Sequence, residues 1–243
     1  MKRWDAIVIG AGHNGLTNAA YLAKAGLEVL VLEKNDYIGG AAVSRELVEG
    51  WRYSNCSYVC SMMRQAIHRD LDLSRYGLML VPYLGTINYG LQGQVLLSYH
   101  DEEANHNELK RLSPHDADAM HRFEADMSRY SQLIRKTLMR TPPDPTSFKV
   151  RDIRELLFLA RQFWTLGERE IYEYIRFFTM SAAEYLDDYF EHELIKASMA
   201  TPGIIGTALG VESPGSAYIL LHHVMGDVDG NIGAWGLARG GMG

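Results

Sequence analysis

Residues 5–42 read DAIVIGAGHNGLTNAAYLAKAGLEVLVLEKNDYIGGAA, and this stretch decides the fold. Ala6 to Ile9 is an apolar run of the length of one buried strand. Gly10-x-Gly12-x-x-Gly15 follows as a tight turn. Leu16, Ala19, Ala20, Leu22 and Ala23 then repeat with helical spacing up to Gly26, and a second apolar run, Val29 to Leu32, stops at Glu33. Strand, glycine turn, helix, strand and acid in that order predict a dinucleotide-binding βαβ unit.

Each residue type has a mechanical reason. Gly10 permits the turn out of the strand, Gly12 leaves room for a pyrophosphate against the backbone, and Gly15 lets the helix pack close to the strand. The helix N-terminus, at His13 and Asn14, offers free N–H groups and a partial positive charge to phosphates. Glu33, about 20 residues on and followed by Lys34, can accept the hydroxyls of an adenosine ribose and would repel a 2′-phosphate, which disfavours NADP. A second glycine pair, Gly39-Gly40, precedes Ala41 and marks another place where the backbone can approach a long ligand.

These residues resemble a known family. GAGHNGL, the acid at Glu33 and IGGAAVS at 38–44 are similar to FAD-dependent oxidoreductases of the phytoene desaturase and amine oxidase superfamily, and among them to the phytoene dehydrogenase-related group. The resemblance extends through 53–80, LSPHDADAMHRFEAD and the terminal LLHHVMGDVDGNIGAWGLARGGMG, and so covers essentially the whole chain. It implies an α/β, Rossmann-like FAD/NAD(P)-binding fold of the flavoprotein type, present in part, with a helix-rich substrate or cap region. It also implies FAD as cofactor, held by Gly10, Gly12, His13, Asn14, Gly15, Glu33, Lys34, Gly39, Gly40 and Ala41, and dehydrogenation or desaturation of an apolar small molecule. Many members of the superfamily carry Arg directly after the glycine pair where this chain has Ala41; Arg45 is the candidate for that positive charge.

Composition narrows the classes. The 243 residues are 47% hydrophobic and 22% charged, with a net charge of −6 and no basic stripe, which argues against nucleic acid as the main partner. No run of ~18 apolar residues predicts a transmembrane helix. Cys56 and Cys60 have a Cys-x3-Cys spacing that differs from that of flavin disulfide reductases, so structural thiols in a reducing compartment are expected: the cytoplasm, or the mitochondrial matrix in a eukaryote. The closing Gly240-Gly241-Met242-Gly243 reads like a mid-chain motif, and two evident parallel strands are too few for a nucleotide sheet, which predicts an N-terminal portion of a longer protein that is inactive alone.

The expected organisation has three parts: a βαβ unit and linking β-layer over 1–100, a helical substrate or cap region over 101–200, and a glycine-rich return toward the cofactor site over 201–243. Within the first part, Met62 to Tyr76 has helical spacing, Leu78 to Val81 is a strand stopped by Pro82, and Gly90–Gly93 joins a hairpin. Ser113-Pro114 opens a helix running to about Met139, and Pro142-Pro143-Asp144-Pro145 is a linker. Helices follow over Val150–Trp164 and Glu168–Phe178, with a capping box at Ser181-x-x-Glu184 and a last helix over Ser216–Val224.

Two patterns resemble metal sites and fail in detail. His192-Glu193 has Lys196 where a zinc helix needs its second His, and Asp227-x-Asp229-Gly230 has Ala238 where a calcium loop needs Glu, so no metal is expected. His222-His223 reads as a structural pair more readily than as a proton shuttle. No residue pattern identifies a catalytic acid or base. Two alternatives to a flavoenzyme stay open: a non-redox binding protein on the same fold, of the GDP-dissociation-inhibitor kind, and an NAD-dependent dehydrogenase.

Overall fold

A computed structural model describes residues 2–54, 56–99 and 101–242. The chain opens with β1 (Ala6–Ile9), α1 (His13–Lys24), β2 (Val29–Leu32), β3 (Ser44–Val48), β4 (Trp51–Ser54), α2 (Gln65–Asp70), β5 (Leu80–Pro82), β6 (Gly85–Tyr89) and β7 (Val95–Tyr99). Helices α3 (Glu102–Leu112), α4 (Pro114–Arg135), α5 (Val150–Trp164), α6 (Glu168–Thr179), α7 (Ala182–Asp187), α8 (Glu193–Ala200) and α9 (Ala217–Val224) follow. Three short strands close it: β8 (Asp227–Val228), β9 (Asn231–Ile232) and β10 (Gly236–Ala238). Two compact units result, one from residues up to Tyr83 together with those from Gly226 onward, the other from Leu84 to Met225.

The first unit is built on the predicted βαβ element. β1 and β2 pair in parallel, with Ala6 opposite Val29 and Ile9 opposite Leu32. Parallel neighbours need a crossover, and α1 supplies it, with Ala19 buried. Gly26, at φ +91°, ends the helix in the left-handed region that glycine enters at no steric cost. Tyr21 Oη donates to Asp70 at 2.9 Å and Lys24 Nζ to the Asp70 carbonyl, tying α1 to the end of α2.

The predicted helix over Met62–Tyr76 is two pieces. α2 stops at Asp70, Asp72 takes φ +52°, and a 3₁₀ turn covers Leu73–Tyr76 before Gly77. The apolar spacing is helical through the break, but an aspartate in the left-handed region cannot continue a helix. The strand β5 stops at Pro82 as expected, with the proline as its last residue. Pro82 lies opposite Gly236 of β10 at a sheet edge, where proline's missing N–H costs no ladder bond. Cys60 exchanges both main-chain hydrogen bonds with Gly236, at 2.7 and 2.9 Å. The β3–β4 hairpin turns at Gly50 and is bulged between Glu46 and Val48.

The second unit is helical, with one hairpin. β6 and β7 pair from Gly85–Tyr99 to Tyr89–Val95 around the predicted turn. Leu96 is buried, and Glu108 of α3 accepts a hydrogen bond from Leu97 N–H at 3.1 Å. The hairpin thus packs on α3, inside the unit that begins at Leu84, whereas the sequence grouped it with residues 1–100 as a linking layer. Ser113 caps α4 by accepting from Asp116 N–H, with Pro114 at the first helical position. α4 ends at Arg135, short of Met139, in turns closed by Thr137 and Arg140.

The core of this unit is aromatic. Phe123, Tyr130, Phe177, Tyr185, Tyr189 and Phe190 interlock, with Tyr130 stacked on Phe177 at 4.6 Å and Tyr185 edge-on to Phe177 at 4.8 Å. Emptying a site such as that of Phe177 costs about 3–5 kcal/mol. The predicted capping box holds α7: Ser181 Oγ accepts from Glu184 N–H, and the Glu184 carboxylate accepts from Ser181 N–H at 2.9 Å. α9 buries Ala217, Leu220 and Leu221.

Candidate cofactor site

The first unit carries the predicted site. Gly10 leaves β1 at φ +102°, a conformation that L side chains rarely adopt, and its N–H donates to Leu32 O at 2.7 Å. Gly15 sits in the first turn of α1, where a Cβ would lie 2.1 Å from the Gly10 carbonyl oxygen and 3.5 Å from Val8. Glycine is therefore demanded there by the closure of helix on turn.

Gly12 differs. Its backbone is ordinary extended chain (φ −75°, ψ 170°), and a Cβ would meet only the Gly40 Cα, at 3.7 Å. Nothing in the described protein excludes a methyl group at this point. A ligand lying against the backbone would.

The two glycine motifs meet. Gly12 and Gly39 form a parallel bridge, and Gly39 N–H donates to Ala11 O at 2.8 Å. Gly39 and Gly40 take φ of +114° and +61°, and a Cβ on Gly40 would press to 3.0 Å from the Gly12 Cα. Residues 10–15 and 39–41 thus form one backbone surface. α1 opens onto it with no side-chain cap and no acid in its own first turn, which leaves its first amides open to a ligand. His13 and Asn14 are exposed at that end, as are Lys34 and Ala41 nearby in sequence.

Glu33 is the charged group of this surface. Its Oε2 accepts from Ala11 N–H at 2.7 Å, inside the glycine turn. Its Oε1 accepts from the N–H groups of Lys34 and Asn35, each at 3.0 Å, and from Asn35 Nδ2 at 2.9 Å. The Ala11 N–H first, then those of Asn35 and Lys34, hold its carboxyl below the ordinary carboxylate range. The acid is fixed in orientation and kept ionised. Oε2 has a single protein donor and so keeps acceptor capacity for a ligand hydroxyl. Sequence reasoning missed Ala11 and Asn35; Asn two residues after an acid at a strand end is a turn-forming signal that could have found the latter.

Other sequence candidates fall elsewhere. Arg45 lies in β3 with its guanidinium 4.8 Å from the Tyr37 ring centre. Ser44 Oγ accepts from Met242 N–H at 3.0 Å, and a Cβ on Gly241 would meet that oxygen at 2.2 Å, so the glycine-rich 240–242 segment closes on the residues after Gly40. Cys56 is exposed and Cys60 buried, both as free thiols, and burial pushes the Cys60 thiol up. His192 caps α8, its Nδ1 accepting from Leu194 N–H. Asp227–Asn231 is a hairpin turn in which Asp227 accepts from Gly230 N–H at 2.9 Å. His222 is pushed down, by burial first and by His223 second, which favours its neutral form.

Comparison with known proteins agrees with this architecture. Residues 8–69 match the NAD(P)-binding Rossmann-like domain family. The chain is 40% identical over 257 aligned residues to pyridine nucleotide-disulfide oxidoreductase domain-containing protein 2 of Mus musculus, covering 99% of this chain and 44% of that protein. It is 35% identical over 224 residues to a limonene dehydrogenase polypeptide of Castellaniella defragrans, covering 91% of this chain and 35% of that protein. The chain spans less than half the length of these relatives. A putrescine oxidase structure matches with a TM-score of 0.54 at 18% identity, over 98% of this chain and 46% of that one, a likeness of fold. Among the described residues no helix is long and apolar enough to cross a membrane.

Proposed function

We propose that this chain, which belongs to the phytoene desaturase and amine oxidase superfamily of flavin-type oxidoreductases, carries the adenosine diphosphate end of an FAD site in a dehydrogenase or desaturase of apolar small molecules. The observation that carries the reading is Gly12, a glycine the fold does not require, at the junction of two glycine turns and beside the oriented carboxylate of Glu33.

The residues fit the group. The uncapped amides of α1 would hold a pyrophosphate without a charged side chain, and the bare backbone of Gly12, Gly39 and Gly40 lets it approach. Glu33 would accept from a ribose hydroxyl through Oε2, and its charge disfavours a 2′-phosphate. FAD, when bound, supplies the two-electron oxidation of a C–H bond, and this chain's part is binding and orientation. The oxidoreductase family in which this chain lies includes a relative named for limonene, a hydrocarbon, which supports an apolar substrate here. We assign the helix-rich unit the role of holding that substrate.

The test is the visible absorption spectrum of the purified full gene product, with FAD added and excess removed. Oxidised flavin bands are expected. A folded protein that retains no flavin overturns the reading and favours a non-redox binding role on the same fold. Oxidation or reduction of a nicotinamide by flavin-free protein favours the NAD-dependent alternative.

A further inference from the structure

α5 is the longest helix whose apolar side chains stay out of the core: of its residues only Asp152 is buried. None of its side chains belongs to the aromatic core of the second unit. Polar clamps hold it along one side. Arg140 grips Glu155 through Nε at 2.6 Å and Nη2 at 3.0 Å and lies 3.8 Å from the Phe158 ring centre, and Lys136 Nζ reaches Gln162 at 3.2 Å. The opposite side is apolar and open. Val150, Ile153, Leu157 and Trp164 recur at helical spacing on one face; Val150 is 73% exposed, Leu157 65% and Trp164 88%, and Phe148, just before the helix, is 93% exposed.

The unpaired charges of α5 and of Lys149 before it have one sign. Lys149, Arg154 and Arg161 are exposed and have no carboxylate partner among the described residues. Arg154 and Arg161 follow Val150 and Leu157 by four residues, so they border the apolar stripe. The two acids of the helix are engaged by the protein: Asp152 is buried against Arg151, and Glu155 is held by Arg140. Unpartnered cations thus collect on one face of a protein whose net charge is −6.

We propose that α5 with Phe148 is a membrane-surface helix that seats the protein on an anionic lipid bilayer. An apolar stripe bordered by cations, with an aromatic side chain toward each end, is the pattern of a helix that lies in the headgroup layer without crossing it. Charge complementarity selects this occupant. A second copy would set these cations against themselves, since both acids of α5 are already engaged. The proposal is independent of the cofactor reading and is read without activity.

The experiment is flotation of the full gene product with vesicles of phosphatidylcholine alone and of phosphatidylcholine mixed with phosphatidylglycerol. Binding to the anionic vesicles is expected, weakening as salt rises. R154Q/R161Q is expected to weaken it by roughly twenty-five-fold, at about fivefold per cation. L157S/W164S is expected to weaken it by about tenfold or more through loss of apolar insertion. Circular dichroism and thermal melting of each variant establish that it is folded. Absence of binding by the folded wild-type protein overturns the proposal, as does equal binding to neutral vesicles or binding indifferent to both variants. A self-association abolished by L157S/W164S, without vesicle binding, assigns the face to a second copy instead.

Discussion

Gly12 and Gly15 stand three residues apart in one motif, and the structure gives them opposite reasons to be glycine. At Gly15 a methyl group would lie 2.1 Å from the Gly10 carbonyl oxygen. That distance is far inside van der Waals contact with a backbone atom that moves only if the turn moves. Gly15→Ala is expected to destabilise by about 1–3 kcal/mol, the usual cost of overpacking. At Gly12 a methyl group would have ordinary 3.7 Å contact with Gly40 and an allowed backbone conformation. Gly12→Ala is expected to leave stability within about 1 kcal/mol of wild type, with a stabilising sign, because alanine restricts the unfolded chain more than glycine does. The same methyl group would occupy the surface on which the proposed pyrophosphate lies. FAD affinity is expected to fall at least about tenfold, equivalent to about 1.4 kcal/mol. Urea denaturation of the apoprotein reads the first quantity, and titration of flavin fluorescence reads the second. A Gly12→Ala protein as unstable as Gly15→Ala would mean that the fold alone demands the glycine. A stable one with undiminished FAD affinity would mean that no ligand lies there.

Two further expectations follow from the charged groups. Glu33 is held ionised by backbone donors, with its pKa below the ordinary carboxylate range, so its contribution is present above about pH 4.3 and is lost as pH falls through the depressed value. Glu33→Gln should therefore lower the melting temperature at neutral pH, with the gap narrowing on acidification; a gap unchanged in acid contradicts the assignment. Asp116 is fully buried at the start of α4 and accepts from the amides of Glu191 and His192 at 3.0 and 2.9 Å; burial pushes its carboxyl up, but His115 and those amides outweigh it and hold it below the ordinary range. Asp116→Asn should cost about 1–3 kcal/mol in urea at neutral pH by leaving one of these amides without its acceptor beside a buried side chain, and should cost less in acid; an unchanged midpoint would show that water replaces the carboxylate.

The parts of this chain that were legible in the sequence are those whose cause is local. The strand, glycine turn, helix and strand of residues 6–32 each announce themselves within a few residues, as do the caps at Ser113 and Ser181 and the turn at Gly90–Gly93. What stayed hidden depends on distant partners or on a single backbone angle. The pairing of β5 with β10 joins residues near 81 to residues near 237, and no pattern in Leu80–Pro82 names its partner. Asp72 breaks a helically spaced run through its own left-handed conformation, which apolar periodicity does not encode.

The candidate site shows both kinds of information at once. Each glycine motif was visible separately, one as a phosphate turn and one as a bare glycine pair. Their union through the Gly12–Gly39 bridge is a tertiary fact. That union changes how Glu33 is understood. In the sequence it is an acid at the end of a strand, waiting for a ribose. In the structure it also braces the turn itself, drawing Ala11 N–H toward the end of β2 while Ala11 O receives Gly39 N–H. One residue of the turn thereby links the acid to the second glycine pair. Binding geometry and local folding share these hydrogen bonds, and a substitution at Glu33 acts on both.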